Sequence, residues 1–182
     1  MVAGKDSIFL VGPMGSGKSA VGRQLARLLD MPFFDSDHEI EVRTGVDIPM
    51  IFEREGEAGF RRREHEMIAE LTALPRIVLA TGGGAVLDED NRRNLVERGW
   101  IVYLETSIAQ QAERAGRTRH RPLLHGVDPT QRLADLMRVR EPLYRSIADC
   151  VVSTNRRRVP QVAERIIEAY EAAKASAASG PA

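Results

Sequence analysis

The run Gly12-Pro13-Met14-Gly15-Ser16-Gly17-Lys18-Ser19 satisfies G-x-x-x-x-G-K-[ST] at every fixed position. The chemistry of that spacing is phosphate binding. Glycines let successive backbone N–H groups turn inward around phosphate oxygens, and a helix N-terminus behind them favours the anion. In such a loop the lysine reaches the β- and γ-phosphates of a nucleotide, and the following hydroxyl ligates Mg²⁺. The flanks suit the motif. Ile8-Phe9-Leu10-Val11 reads as a buried strand before it. A helix pattern follows, with Val21, Leu25, Leu28 and Leu29 on one face and Arg23, Gln24 and Arg27 on the other.

Further groups could carry an acceptor and a transfer step. Phe33-Phe34-Asp35-Ser36-Asp37 ends a second apolar run. In an extended chain, residues two apart point the same way, so Asp35 and Asp37 would both face the crevice at the strand ends. One carboxylate can hold Mg²⁺ and the other can accept from a substrate hydroxyl; helix capping by Asp37 is the plainer alternative. In Phe60-Arg61-Arg62-Arg63-Glu64, Arg61 and Glu64 share a helix face at i, i+3. Arg61 could grip a carboxylate with its planar fork, or the segment could be a solvated basic face. Thr81-Gly82-Gly83-Gly84 follows a strand pattern and would bring bare backbone to the crevice. Arg140, in Arg140-Glu141-Pro142-Leu143-Tyr144, falls in a helical region and can point back to the same place. Arg156, Arg157 and Arg158 could line a base or open a solvated helix.

These groups need a scaffold. Strands are expected at 7–11, 32–35, 76–80, 100–104 and 150–154. Helical patterns cover 18–29, a mixed stretch at 37–74, then 90–98, 108–115, 129–138 and 159–175. Strands rich in β-branched residues without polar alternation fit a parallel sheet covered on both faces, giving a three-layer α/β/α sandwich. Asp88 or Asp90 can cap one helix, Gly99 can end it, and Asp128 before Pro129 starts another. The basic segment 116–126, bounded by Gly116 and Gly126, reads as a mobile lid over a phosphoryl donor. The tail 172–182 is expected to fray.

Composition sets bounds. The chain has 182 residues, enough for one domain spanning 1–182. Its formal net charge is zero, so no global field draws it to nucleic acid or membrane. No apolar stretch approaches the roughly 18 residues of a membrane span. The first strand begins too early for a signal peptide. The single cysteine, Cys150, fits core packing in a reducing cytoplasm.

Taken in order, these segments resemble the shikimate kinase family over residues 7–169. The ordered set is the phosphate loop, Asp35 with Asp37, Phe60-Arg61 with Glu64, Gly82-Gly83-Gly84, Arg121-Pro122-Leu123-Leu124, and Arg140 with Tyr144. The resemblance implies a P-loop fold of the nucleoside-monophosphate-kinase type, with a five-stranded parallel sheet ordered 2-3-1-4-5. It implies ATP-dependent phosphorylation of the 3-hydroxyl of shikimate by a monomer. Residue by residue, Gly15, Ser16, Gly17, Lys18, Ser19 and Ala20 contact the nucleotide phosphates. Ser19 and Asp35 hold Mg²⁺. Asp37 contacts the ring hydroxyls and is the candidate base. Arg61 and Arg140 grip the substrate carboxylate, with Glu64, Gly82, Gly83 and Gly84 alongside. Arg121 approaches the γ-phosphate. Arg114 resembles the adenine-stacking arginine, with Arg117 a rival. Arg157 resembles a second adenine contact, with Arg156 and Arg158 as alternatives. A gluconate kinase would share the loop and lid, and a nucleotide-binding module without turnover would not need the acceptor-side groups.

Overall fold

A computed structural model describes residues 5–116 and 128–179. The apolar runs form the strands, labelled here β1 (Ile8–Val11), β2 (Phe33–Asp35), β3 (Val78–Ala80), β4 (Trp100–Glu105) and β5 (Cys150–Ser153). All pair in parallel in the order β2-β3-β1-β4-β5. The central strand is buried along its whole length because helices cover both faces. The helices are α1 (Lys18–Leu29), α2 (Ser36–Thr44), α3 (Ile48–Thr72), α4 (Glu89–Arg98), α5 (Ile108–Gly116), α6 (Pro129–Ile147) and α7 (Val159–Ala178).

Strand alternation splits the core in two. Ile8, Leu10, Val78, Val102 and Leu104 face Val21 and Leu25 of α1 and Val162, Ala163 and Ile166 of α7. Phe9, Val11, Leu79, Ile101 and Tyr103 face α3, α4 and α6 through Ile68, Leu95 and Tyr144. This is the three-layer sandwich expected from the sequence. The strands' C-terminal ends lie together, so the phosphate loop after β1, Asp35 at the end of β2 and Thr81 after β3 share one rim. Thr81 N–H donates to Leu10 O at 3.1 Å and locks two of these ends together.

Several boundaries differ from expectation. The mixed stretch resolves into α2 and α3, separated by Gly45 in the left-handed region at φ 69°. Within α3, Gly56 breaks the helical path. A 3-10 turn, Ala85–Leu87, precedes α4, and Asp88 rather than Asp90 caps that helix by accepting from Asn91 N–H. α6 starts on Asp128, as expected, but continues through Pro142 to Ile147 rather than stopping at 138. Within the expected tail, α7 runs to Ala178 through an alanine-rich stretch with high helix propensity, and residues 180–182 lie outside the described residues. On α1, Leu28 is exposed, and the buried stripe is Val21, Gly22, Leu25 and Ala26. Cys150 is half-buried against the α1/α7 core. Residues 117–126 of the expected lid, with Arg117 and Arg121, lie outside the described residues. No helix among the described residues is long and apolar enough to cross a membrane.

Candidate active site

The loop between β1 and α1 turns on Gly17, the N-cap of α1, whose φ of 89° favours glycine. Ser16 is buried beneath it. Lys18 folds back over the loop and donates through Nζ to the carbonyls of Gly12 and Pro13, each at 2.8 Å. Ser19 and the exposed Ala20 follow in the first turn of α1. Ser19 Oγ donates to Asp35 Oδ2 at 2.5 Å. The other oxygen of Asp35 accepts from the N–H of Asp37 at 3.2 Å, so Asp35 is the N-cap of α2. This corrects one expectation and removes one alternative. Asp37 is not the cap, and the aspartates share the cleft although they are not alternate positions of one strand. Asp35 ends β2, and Asp37 occupies the first turn of α2.

Asp37 meets Glu64 across Gly82. A β-carbon on Gly82 would lie 2.6 Å from Asp37 Oδ1 and 2.6 Å from Glu64 Oε1. Only a residue without a side chain allows this approach. Both oxygens are buried and neither has a hydrogen-bond partner among the described residues. Burial first, then the charges of Glu64 and Asp35, push the Asp37 carboxyl up to about 7, against the pull of Lys18 and Arg61. Burial also raises Glu64, opposed by Arg61 and Arg140. Gly82 itself is anchored by its N–H, which donates to Ser36 Oγ at 2.9 Å. That buried serine, between the two aspartates, is a positioning group the sequence reading missed.

The far end of the cleft is cationic. Arg61 Nη1 donates to Glu64 Oε2 at 2.6 Å, realising the i, i+3 pairing on α3. Its other nitrogens reach Glu57. Arg140 projects from α6 and is 5% exposed. Burial, and the nearby charge of Arg61, hold its guanidinium below the usual arginine value. Two neighbouring guanidiniums served by one buried carboxylate form an anion-binding arrangement. Gly83 and Gly84 run between them: β-carbons there would lie 3.7 Å from Arg140 Nη1 and 2.3 Å from Arg61 Nη1. Phe52 and Phe60, with ring centroids 5.0 Å apart, add an apolar wall.

These groups line one cleft of about 740 Å³ that runs from Gly15, Lys18 and Ser19 past Asp35 and Asp37 to Arg61 and Arg140. Arg114 lies outside that lining and reaches the phosphate loop from α5, its Nη1 donating to Gly15 O at 2.6 Å. Arg156, Arg157 and Arg158 are exposed in the turn after β5. Asn155, just before them, was not singled out in the sequence. Its Oδ1 accepts from Ser107 N–H at 2.9 Å and fixes this turn to the end of β4.

A phosphate loop at the rim of a 2-3-1-4-5 parallel sheet, continuous with a pocket lined by two arginines, defines a P-loop kinase of the small-molecule kind. The shikimate kinase family model matches residues 14–171. The chain is 58% identical over 167 residues to the shikimate kinase of Methylococcus capsulatus, covering 92% of this chain and 93% of the relative. It is 57% identical over 164 residues to that of Chromohalobacter salexigens, covering 90% and 91%. The structure of shikimate kinase from Acinetobacter baumannii in complex with shikimate matches with a TM-score of 0.91 at 47% identity, covering 95% of this chain and 97% of that one. The chain belongs to the shikimate kinase family and is a kinase.

Proposed function

We propose that this chain transfers the γ-phosphoryl group of ATP to the 3-hydroxyl of shikimate, a step toward chorismate and the aromatic amino acids. One observation carries the reading: the phosphate loop, the Asp35/Asp37 pair and the paired guanidiniums of Arg61 and Arg140 line a single cleft. A triphosphate on the loop would extend toward Asp37, and a carboxylate between the arginines would bring a ring hydroxyl there from the other side.

The roles follow from the chemistry of each group. Gly15, Ser16, Gly17 and Ala20 present the loop and first-turn backbone to phosphate, and Lys18 neutralises its charge. Asp37 accepts from the acceptor hydroxyl; a carboxyl held near neutrality is matched to that task. Arg61 and Arg140 hold the carboxylate, Glu64 orients Arg61, and Gly82, Gly83 and Gly84 let the ring approach. Arg121 is assigned to the γ-phosphate. Arg114 and Arg157 are assigned to adenine. Positioning and charge stabilisation supply most of the rate enhancement.

Mg²⁺ fits the donors present. Ser19 Oγ and Asp35 Oδ2 are hard oxygens 2.5 Å apart at the mouth of the loop. When bound there, the ion would neutralise phosphate charge during transfer. The same proposal places the enzyme in the cytoplasm, where a single cysteine suits a reducing compartment, with no need of nucleic acid or membrane, which zero net charge supports; that it is a monomer follows the family resemblance alone. An ADP-release assay with shikimate, quinate and gluconate, each with and without Mg²⁺, tests the reading. Shikimate-dependent, Mg²⁺-dependent release is expected. Equal or greater release with gluconate would overturn it.

A further inference from the structure

Tyr144 lies one helical turn beyond Arg140 on α6 and is fully buried. Its hydroxyl donates to the Gly83 carbonyl at 2.5 Å. The guanidinium of Arg140 lies against the same segment: a β-carbon on Gly83 would sit 3.7 Å from Arg140 Nη1. One phenol therefore holds the glycine segment that lies against the buried arginine. Fixing the Gly83 oxygen fixes more than that atom. In a trans peptide the C=O and the following N–H are antiparallel, and the described chain has no cis bonds. With the Gly83 oxygen turned toward Tyr144, the N–H of Gly84 points away from it. Gly84 itself packs on Arg61. The ring of Tyr144 stacks on Tyr103 with centroids 5.1 Å apart, which holds the phenol plane.

We propose that Tyr144 is a positioning residue for the acceptor carboxylate. Through one hydroxyl it sets the Gly83–Gly84 peptide between Arg140 and Arg61, so that a backbone N–H joins the two guanidiniums in one anion-binding fork. This rests on the reaction proposed above. The competing view is that Tyr144 only fills the core. In that case its oxygen is irrelevant to acceptor affinity.

Tyr144→Phe separates the two, with Tyr103→Phe as a control. Tyr103 lies in the same stack, and its buried hydroxyl has no hydrogen-bond partner among the described residues. For Tyr144→Phe the KM for shikimate rises about tenfold, the value expected from losing the buried hydrogen bond that holds the Gly83 carbonyl. The KM for ATP and kcat stay within about twofold. The methyl ester of shikimate, which lacks the carboxylate charge, is used equally by wild type and variant. Tyr103→Phe leaves all these values unchanged. An unaltered shikimate KM in Tyr144→Phe overturns the inference, as does an equal loss on acid and ester. If Tyr144→Phe does not fold, Tyr144→Met, which fills the site without a donor, is compared on the same two acceptors with the same criterion. Wild-type protein that releases no ADP with shikimate refutes the assigned reaction. Wild-type turnover with an unaltered Tyr144 variant refutes this inference alone.

Discussion

Asp37 Oδ1 and Glu64 Oε1 are aimed at the same point from α2 and α3, and that point is where Gly82 would carry a side chain. Neither oxygen has a hydrogen-bond partner among the described residues, so the site holds unspent acceptor capacity beside the phosphate loop. Gly82→Ala tests the arrangement directly. A methyl group 2.6 Å from both oxygens must displace them. Turnover with shikimate should fall by about a hundredfold or more, because a shift of about 1 Å in a positioning group has that effect. ATP affinity, read by calorimetry, should change little. Near-normal turnover would show that the two carboxylates can separate freely.

The same pair makes stability depend on pH. A carboxyl raised to about 7 in the native state binds its proton more tightly than in the unfolded chain, where the ordinary value is 3.8. Its stabilising contribution is complete below that ordinary value and is lost as the pH climbs to about 7. At pH 8 the ionised, buried Asp37 costs the fold on the order of a few kcal/mol. Asp37→Asn removes that cost. Melting curves of the ligand-free protein should show Asp37→Asn more stable than wild type at pH 8, with the gain shrinking toward pH 4. Parallel wild-type and variant curves across this range would mean Asp37 is not raised. The same variant should lose orders of magnitude in turnover while binding ATP normally, because its amide cannot accept a proton from the hydroxyl.

How much of this was legible depended on distance along the chain. The phosphate loop was readable because its contacts are local: Lys18 bonds to carbonyls five and six residues away. Arg61 and Glu64 were readable as a pair because helical periodicity brings i and i+3 together. Asp35 and Asp37 were rightly expected to share the cleft, but on strand alternation, whereas a helix starts between them. The sheet order came from the family resemblance, since short buried strands carry no mark of their neighbours. Ser36 and Tyr144 meet their glycine partners 46 and 61 residues away, and Asn155 meets Ser107 across 48. No local spacing encodes those contacts. The spacing puts Leu28 on the apolar face of α1, yet it is exposed; Gly22, which packs on Phe33 and Leu10, and Ala26 are buried instead.

Lys18→Ala should impair donor binding and chemistry together. The ammonium lines the cleft at the mouth of the loop, and the proposed reaction puts the phosphate charge, and its redistribution in the transition state, beside it. The KM for ATP should rise about tenfold and kcat should fall about a hundredfold or more. Shikimate affinity, measured by titration without nucleotide, should stay within about twofold. A variant that loses shikimate affinity instead would place Lys18 on the acceptor side.

Arg140→Ala should do the reverse. Arg140 is nearly enclosed, close to Arg61, and beside Gly83. Removing it leaves Arg61 alone to meet the carboxylate and leaves Glu64 without one of its two neighbouring cations. Losing a buried charge-assisted contact costs roughly 2–5 kcal/mol, so the shikimate KM should rise about a hundredfold. Arg140→Lys should recover only part of it, because an ammonium keeps the charge but not the planar fork. Neither change should alter ATP affinity, since the phosphate loop lies at the other end of the cleft. If calorimetry shows ATP binding weakened while shikimate binding is preserved, Arg140 serves the nucleotide, and the acceptor's acid group must be held by Arg61 with some other partner.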